Sequence, residues 1–209
     1  MTDFMPGEPA TSAAGKYFSP RKLKTLQGRT FRFRVLGAFL AFLERWTDDR
    51  KPVRVMPGQA FPEGVKWRKE ADGQDEPAKM CWAGPIHNVT LGVPVQIFQY
   101  HQGVIHKQFQ SYIYKLDERG NKVKGPDGAN LLNEEWGDPT KYDFRLTSTG
   151  EMLETVHALA PCPHSKLPSE VADAWAKLSA EWSGPEALLL GGDPWAPFGT
   201  IAGDDRLPF

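Results

Sequence analysis

The sequence predicts a mainly β protein with a few helices, an α+β fold, and three observations support this. In the strand predicted at 30–36, Phe31, Phe33 and Val35 alternate strictly with Arg32 and Arg34, which is the period of a strand. The chain contains 18 prolines and 20 glycines, which favour short elements and many turns. Two more strands are predicted at 141–147 and 154–160, joined by a Ser-Thr-Gly turn. A sheet is therefore expected at the centre of the fold.

The remaining elements follow from periodicity, caps and turn residues. Residues 1–15 are small and polar and are predicted to form a flexible arm, and a short helix follows between Ser19 and Gly28. Further strands are predicted at 38–47, 52–56, 78–87 and 93–100, and helices at 103–116 and 169–183. Loop-like stretches cover 57–77 and 117–130, and a short helical turn covers 131–136. This division predicts one domain at 16–168, then the helix 169–183 and a flexible acidic tail at 184–209.

Size and composition limit the class of protein. A chain of 209 residues with 40% hydrophobic content suits a single domain with tails or with a large insertion. The chain has no run of 18 apolar residues and no signal-peptide pattern at its start, so we expect no membrane association. The two cysteines, Cys81 and Cys162, do not make a disulfide framework, which favours a reduced, cytoplasmic protein.

Charge is distributed unevenly along the chain. The formal net charge is −1, but residues 16–69 hold 14 Lys/Arg against 4 Asp/Glu, whereas residues 169–209 hold 2 against 7. A basic front and an acidic end are typical of a body that binds a polyanion and carries an acidic tail. A chance partition of surface charge is the alternative.

Arginines and aromatic residues lie side by side in the basic region. In 30–55, Arg32 and Arg34 share one side of a predicted strand, and Trp46 and Arg54 follow. A protein that holds an unpaired nucleic-acid strand needs cations along the phosphates and rings that stack on bases. The alternative is an ordinary half-buried hairpin with a solvated charged face.

The end of the chain resembles the C-terminal tip of bacterial single-stranded DNA-binding proteins. Asp204 and Asp205 precede Leu207, and the chain ends in Pro208 and Phe209. A terminal phenylalanine offers a ring for an apolar pocket and a carboxylate for a basic residue of a partner. The resemblance implies recruitment of replication or recombination proteins through this tip, and Arg206 departs from the fully acidic pattern.

The body resembles the single-stranded DNA-binding proteins of tailed bacteriophages. The similar residues are FRFRVLGAF at 31–39, the Trp-x5-Pro-Val-Arg run at 46–54 and WGDPTKYDFRLTSTGEMLETVHALAP at 136–161. This resemblance implies an OB-like β-barrel that binds strands of nucleic acid. Residues 57–77 and 117–135 have no counterpart and are expected to be insertions.

These arguments predict a protein that coats and protects unpaired DNA, with specific residues in specific roles. Phe31 and Phe33 are assigned to the core, because burying the arginine side of the strand would cost more. The predicted phosphate contacts are Arg32, Arg34, Arg45, Arg54, Lys79 and Arg145. The predicted stacking rings are Phe39, Trp46, Trp67, Trp82, Tyr100 and Tyr142. The sequence leaves open whether the chain forms a homo-oligomer. Deletion of 203–209 is expected to raise affinity for single strands modestly at low salt, because the acidic tail competes for the basic groove.

Other chemistry has weaker support in the sequence. The chain contains no phosphate-binding glycine loop and no dinucleotide fingerprint. Cys162 and His164, with Cys81 and His87 as distant partners, lack a usual zinc spacing, so no metal and no cofactor are expected. Two alternatives to DNA binding remain: an adaptor that binds only proteins, and a metal-dependent nuclease that uses Asp143.

Overall fold

The computed structural model describes residues 16–151 and 154–195, and its centre is one sheet of eight mostly antiparallel strands. The strands are β1 (Tyr17–Phe18), β2 (Thr30–Val35), β3 (Leu40–Trp46), β4 (Pro52–Val55), β5 (Lys79–Asn88), β6 (Val93–Tyr100), β7 (Tyr142–Thr149) and β8 (Val156–His164). The predicted mainly β fold with few helices is therefore confirmed. The predicted arm 1–15 lies outside the described residues.

Within the described residues, two α-helices and four short 3-10 helices accompany the sheet. Helix α1 (Gly103–Ile113) buries Ile105 and Phe109, which lie one turn apart, and α2 (Ser169–Ser179) buries Val171. The 3-10 helices are Pro20–Thr25, Gln27–Arg29, Pro139–Lys141 and Pro185–Leu190. No helix in the described ranges is both long and apolar enough to cross a membrane.

Strands β2 and β3 together run antiparallel along the whole of β5. Val35 pairs with Ile86, and after a four-residue interruption Leu40 pairs with Ala83. In the interruption Phe39 folds its ring over Gly84, where an added Cβ would lie 2.6 Å from the ring. The break lets β2 turn away to pair with β7 while β3 pairs with β4. The strand order along the main path is β1-β6-β5-β2-β7-β8.

The sheet is curved around a core but is not closed, so the expectation of a closed barrel is wrong. At one end β1 pairs in parallel with β6, through Tyr17 opposite Ile97 and Phe18 opposite Phe98. At the other end the side chain of Gln108 in α1 accepts a 2.6 Å hydrogen bond from the Leu159 amide of β8. The Gln108 side chain thus satisfies a backbone N–H at the edge of the sheet that could otherwise pair with a further strand.

Two apolar clusters lie on the two faces of the sheet. The inner cluster contains Phe31 and Phe33, both 0% exposed, together with residues of β6, β7 and α1. The assignment of these two phenylalanines to the core is confirmed. The outer cluster lies between β3, β5 and β6 and the segment 169–195, which we call the C-terminal segment.

The C-terminal segment corrects the prediction of a flexible tail from residue 184. The 3-10 helix Pro185–Leu190 packs on the outer cluster, and Pro185 and Leu188 are buried. Trp182 and Trp195 join the same cluster. The residues lack a regular period, but they are apolar enough to stay on the sheet. The rest of the predicted tail, residues 196–209, lies outside the described residues.

The two predicted insertions are ordered by short bridges rather than by long strands. Residue Thr47 bridges to Trp67, and Lys69 bridges to Asp75 within the first insertion. In the second insertion Tyr114 bridges to Leu132, with further bridges at Leu116–Lys122 and Lys124–Asn130. Strand β8 begins at 156 rather than 154 and continues to 164, four residues beyond the predicted end of the strand.

Candidate nucleic-acid interface

The twelve predicted DNA-binding residues separate by burial. Four of them, Arg34, Arg54, Tyr100 and Tyr142, are buried, so the structure contradicts their assignment as contacts. Burial raises the pKa of Tyr100 and Tyr142 above the usual tyrosine range. Both rings lie in the inner cluster, because they occupy inward positions of β6 and β7.

Arg34 is a structural cross-link rather than a phosphate contact. Its side chain is 2% exposed, and Nε donates to Oδ1 of Asp143 at 2.6 Å. Nη1 donates to the carbonyls of Thr140 and Ser165, and Nη2 donates to the Ser165 hydroxyl. Residues before β7 and after β8 fold over this outward position of β2, so the guanidinium ties three segments together.

Arg54 has a comparable role on the opposite part of the sheet. Its Nε donates to Oε2 of Glu44 at 2.9 Å, and its guanidinium lies 5.6 Å from the ring centre of Phe42. The 3-10 helix of the C-terminal segment packs against β4 and β3 here. The guanidinium is therefore held inside the fold.

Phe39 also belongs mainly to the core. Its half-buried ring lies 5.8 Å from Phe109 and 6.0 Å from Tyr100, measured between ring centres, and it covers Gly84. These contacts use the ring to close the interruption between β2 and β3. The structure therefore gives no support for Phe39 as a base-stacking residue.

One face of the β4–β3–β5 strands presents rings and a cation together. Leu43 of β3 lies opposite Val55 of β4 and Met80 of β5. Arg45 follows Leu43 by two residues on β3, and Trp82 follows Met80 by two residues on β5, so both side chains lie on the same face. All five side chains are half-buried. Two flanking residues complete this surface, which we call the aromatic platform: Leu43, Arg45, Val55, Trp67, Met80, Trp82 and His106.

Two stacked pairs define the platform. The rings of Trp82 and His106 lie 4.0 Å apart between centroids with an interplanar angle of 12°. The guanidinium carbon of Arg45 lies 4.5 Å above the ring of Trp67, a cation–π contact. Burial, and next the charge of Lys122, lower the pKa of His106, so the imidazole on Trp82 is neutral at pH 7.

A charge network holds the Trp67 loop against β3. Asp75 forms an ion pair with Arg45 at 2.8 Å and another with Lys69. Arg45 Nε also donates a hydrogen bond to the Glu76 carbonyl. Hydrogen bonding from Lys69 lowers the pKa of Asp75, and hydrogen bonding from Lys79 lowers the pKa of Glu76. The loop is thereby fixed in the geometry that stacks Trp67 on Arg45.

Trp46 and Lys79 do not join the platform. The strand alternation puts both on the opposite face from Arg45 and Trp82. Lys79 is engaged by Glu76, and Trp46 is half-buried beside Pro52. Of the predicted contacts, the structure brings Arg45, Trp67 and Trp82 together on one surface.

The two remaining predicted contacts, Arg32 and Arg145, lie on the outer side of β2 and β7. They are directly opposite each other in the ladder, and both are exposed. Arg32 pairs with Asp143 at 2.7 Å, and its side chain stays 51% exposed. At the end of the same strands a groove is lined by Thr140, Lys141, His164, Ser165, Lys166 and Leu167. We call Arg32, Lys141, Arg145 and Lys166 the cationic face.

Sequence reasoning missed His106 and the groove residues Lys141, His164 and Lys166. His106 lies next to Ile105 on an amphipathic helix, but no local signal shows that this helix packs beside β5. Lys141 stands at the start of the predicted strand 141–147, whereas His164 and Lys166 follow the predicted strand 154–160. Only the pairing of β7 with β8 brings them together.

The residues considered for metal or nuclease chemistry do not converge. In the described part of the chain, no group of three or more His, Cys, Asp or Glu side chains is arranged to hold a metal ion. Cys81 is buried under the C-terminal segment, and burial raises the pKa of its thiol to about 12. Asp143 is engaged by both Arg32 and Arg34.

The predicted partner-binding residues Asp204, Asp205, Leu207, Pro208 and Phe209 lie outside the described residues. Comparisons of the chain with protein-family models, with curated proteins and with solved structures find no match.

Proposed function

We propose that this protein binds single-stranded DNA without strong sequence preference and coats it during replication or recombination. The observation that carries the proposal is the aromatic platform, where the half-buried Trp82 stacks on His106 and Tyr100 and the half-buried Trp67 stacks on Arg45. The parts of these rings that reach the surface offer stacking area to bases of any sequence, and Arg45 adds a positive charge beside them. The chain acts as a binding protein in this proposal and needs no cofactor.

The strand order supports an OB-related fold. Along the sheet, β6, β5, β2–β3, β7 and β8 follow each other as do the third, second, first, fourth and fifth strands of an OB barrel. Helix α1 stands between β6 and β7, where that fold commonly has its helix. The sheet is open between β6 and β8, the third and fifth strands in this alignment. We therefore propose an opened relative of the five-stranded OB barrel.

The C-terminal segment decides which surface the DNA uses in this proposal. OB folds commonly bind nucleic acid on the exposed face of the second and third strands. The corresponding outer face of β5 and β6 is covered here by the C-terminal segment, and Ile97 is 0% exposed beneath it. The platform, on the other side of β3 and β5, stays accessible. In this proposal the acidic tip at 204–209 recruits a replication or recombination protein, as its resemblance implies.

A fluorescence titration with oligo(dT) tests the proposal. Seven tryptophans make quenching sensitive, and binding is expected to weaken steeply as salt rises. Loss of one stacked base costs about 1–3 kcal/mol, so Trp82→Ala is expected to weaken binding about 5- to 150-fold. Leu190→Ala, at a site that is 90% exposed on the C-terminal segment, is the control. Absence of binding by the wild-type protein at low salt would reject the proposal in favour of a protein-only adaptor.

A further inference from the structure

The outer side of β2 and β7 holds two arginines that face each other. Arg32 and Arg145 are direct cross-strand partners, an arrangement that is destabilising when nothing anionic lies between the two charges. The side chain of Arg145 has no ion-pair or hydrogen-bond partner among the described residues. Resting on the proposed function, we propose that the cationic face is a second track on the protein, where it binds the phosphates of a DNA strand.

The charge balance of this face favours an anionic ligand. Lys166 and Arg145 are exposed, and the Lys141 side chain is 70% exposed with Asp138 only at 3.9 Å. The carboxylate of Asp143 is shared by Arg32 and the buried Arg34, so it neutralises less than one charge on the open surface. The face therefore keeps a positive excess that is not balanced from within the described chain.

The shape of the face fits an extended strand. On β8 the small side chains of Ala158 and Ala160 lie opposite Thr147 and Arg145 of β7. They leave a flat surface beside the guanidinium of Arg145. Lys141 and Arg145 are four residues apart, about 13 Å along the strand direction, so they reach different phosphates. A phosphate backbone, with its regularly repeated charge, matches this spacing better than an isolated anion.

The groove at the end of the face adds a ring. His164 lies 5.7 Å from Trp136 and 5.3 Å from Tyr142 between ring centres, and Trp136 is half-buried. Lys141 and Lys166 line the same groove. The exposed His164 ring beside these two lysines supplies both contacts that single-strand binding uses, so the track ends at a place where a base can stack. This makes a nucleic-acid strand a better occupant than an acidic peptide.

Salt dependence separates the track from the platform. We compare the wild-type protein, Arg145→Gln and the triple variant Lys141→Gln/Arg145→Gln/Lys166→Gln, using an oligo(dT) long enough to reach both surfaces. Each lost phosphate contact is expected to lower the slope of log K against log salt by about 0.7, so the triple variant should lose about 2. Tryptophan quenching at saturating DNA is expected to remain. Lys177→Gln, an exposed lysine on α2, is the control and should keep the wild-type slope.

The two ideas fail in different ways. If the triple variant keeps the wild-type affinity and slope while Trp82→Ala loses affinity, the track is wrong and the proposed function stands. If the wild-type protein binds no DNA, both are wrong. If the triple variant binds DNA normally but loses affinity for a synthetic peptide of residues 196–209, the face binds the acidic tail and the track is again wrong.

Discussion

The outer surface of the sheet has two halves that differ in what lies over them. Over β5 and β6 the outward side chains include the apolar Cys81, Ala83 and Ile97, and the C-terminal segment buries them. Over β2 and β7 the outward side chains include Arg32 and Arg145, and the surface is open. Strands that are apolar on both faces need a second layer of structure to cover them, whereas strands that alternate apolar and polar side chains can face solvent on one side. The comparison assigns the covered half to stability and the open half to binding.

The largest expected effect contrasts a covered arginine with an open one on the same strand. Arg34→Met removes the buried one of the two arginine partners of Asp143 and three further hydrogen bonds, so the free energy of unfolding is expected to fall by about 3–5 kcal/mol. Arg32→Met, two residues away and half exposed, is expected to cost about 1 kcal/mol or less. Urea denaturation measures both. Equal costs would mean that burial does not distinguish the two residues.

The next effect tests whether the C-terminal segment is part of the fold. Trp182 is 7% exposed between Trp175 and Trp195, so Trp182→Ala is expected to destabilise the packing by about 3 kcal/mol. Cys81 lies in the same cluster, and its buried, protonated thiol should react slowly with a thiol reagent.

In a Cys162→Ser background, Trp182→Ala is expected to accelerate labelling of Cys81. Leu190→Ala, at a site that is 90% exposed on the same segment, should leave the rate unchanged. Rapid labelling of Cys81 in the protein with Trp182 intact would show that the segment does not cover this half of the sheet.

A smaller effect is expected where β2 ends and β3 begins. A methyl group at position 84 would meet the Phe39 ring at 2.6 Å, so Gly84→Ala is expected to cost about 1–3 kcal/mol. The double variant Gly84→Ala/Phe39→Leu should recover part of the loss, because the smaller side chain makes room. Thermal unfolding compares the three proteins, and a neutral Gly84→Ala would contradict the close packing.

The smallest effect is a pH dependence at the platform. Burial lowers the pKa of His106 below its ordinary value of 6.5, so the unfolded chain binds this proton more readily. Its contribution to stability is present above pH 6.5 and is lost as the pH falls through 6.5 toward the folded-state pKa. Burial likewise lowers the pKa of His101 and His157, so His106→Gln should reduce the acid-side slope without removing it. Urea denaturation at several pH values measures that slope, and an unchanged slope would contradict the assignment.

The sequence was sufficient where a pattern is local. Strict alternation identified β2 and placed Phe31 and Phe33 inside, because a strand with an arginine side can bury only its other side at low cost. The helical stripe of α1 was visible for the same reason, and Ile105 and Phe109 are buried as its spacing requires.

The sequence was not sufficient where a distant segment covers a residue. Alternation places Arg32 and Arg34 on one side of β2, but only the fold brings Ser165 and Thr140 over Arg34. The platform depends on a loop bridge between Thr47 and Trp67, and on a helix that carries His106 to Trp82. Residues 184–195 have no period, so their packing could not be predicted from periodicity.

Photochemical cross-linking tests the central claim most directly, since it reports which ring a base touches. Oligo(dT) containing 5-iodouracil would be bound to the wild-type protein at low salt, irradiated, and analysed by peptide mass spectrometry. The platform predicts cross-links at Trp67 and Trp82. Cross-links confined to Trp175, Trp182 or Trp195 would show that DNA displaces the C-terminal segment and binds the covered half of the sheet, which would contradict the account.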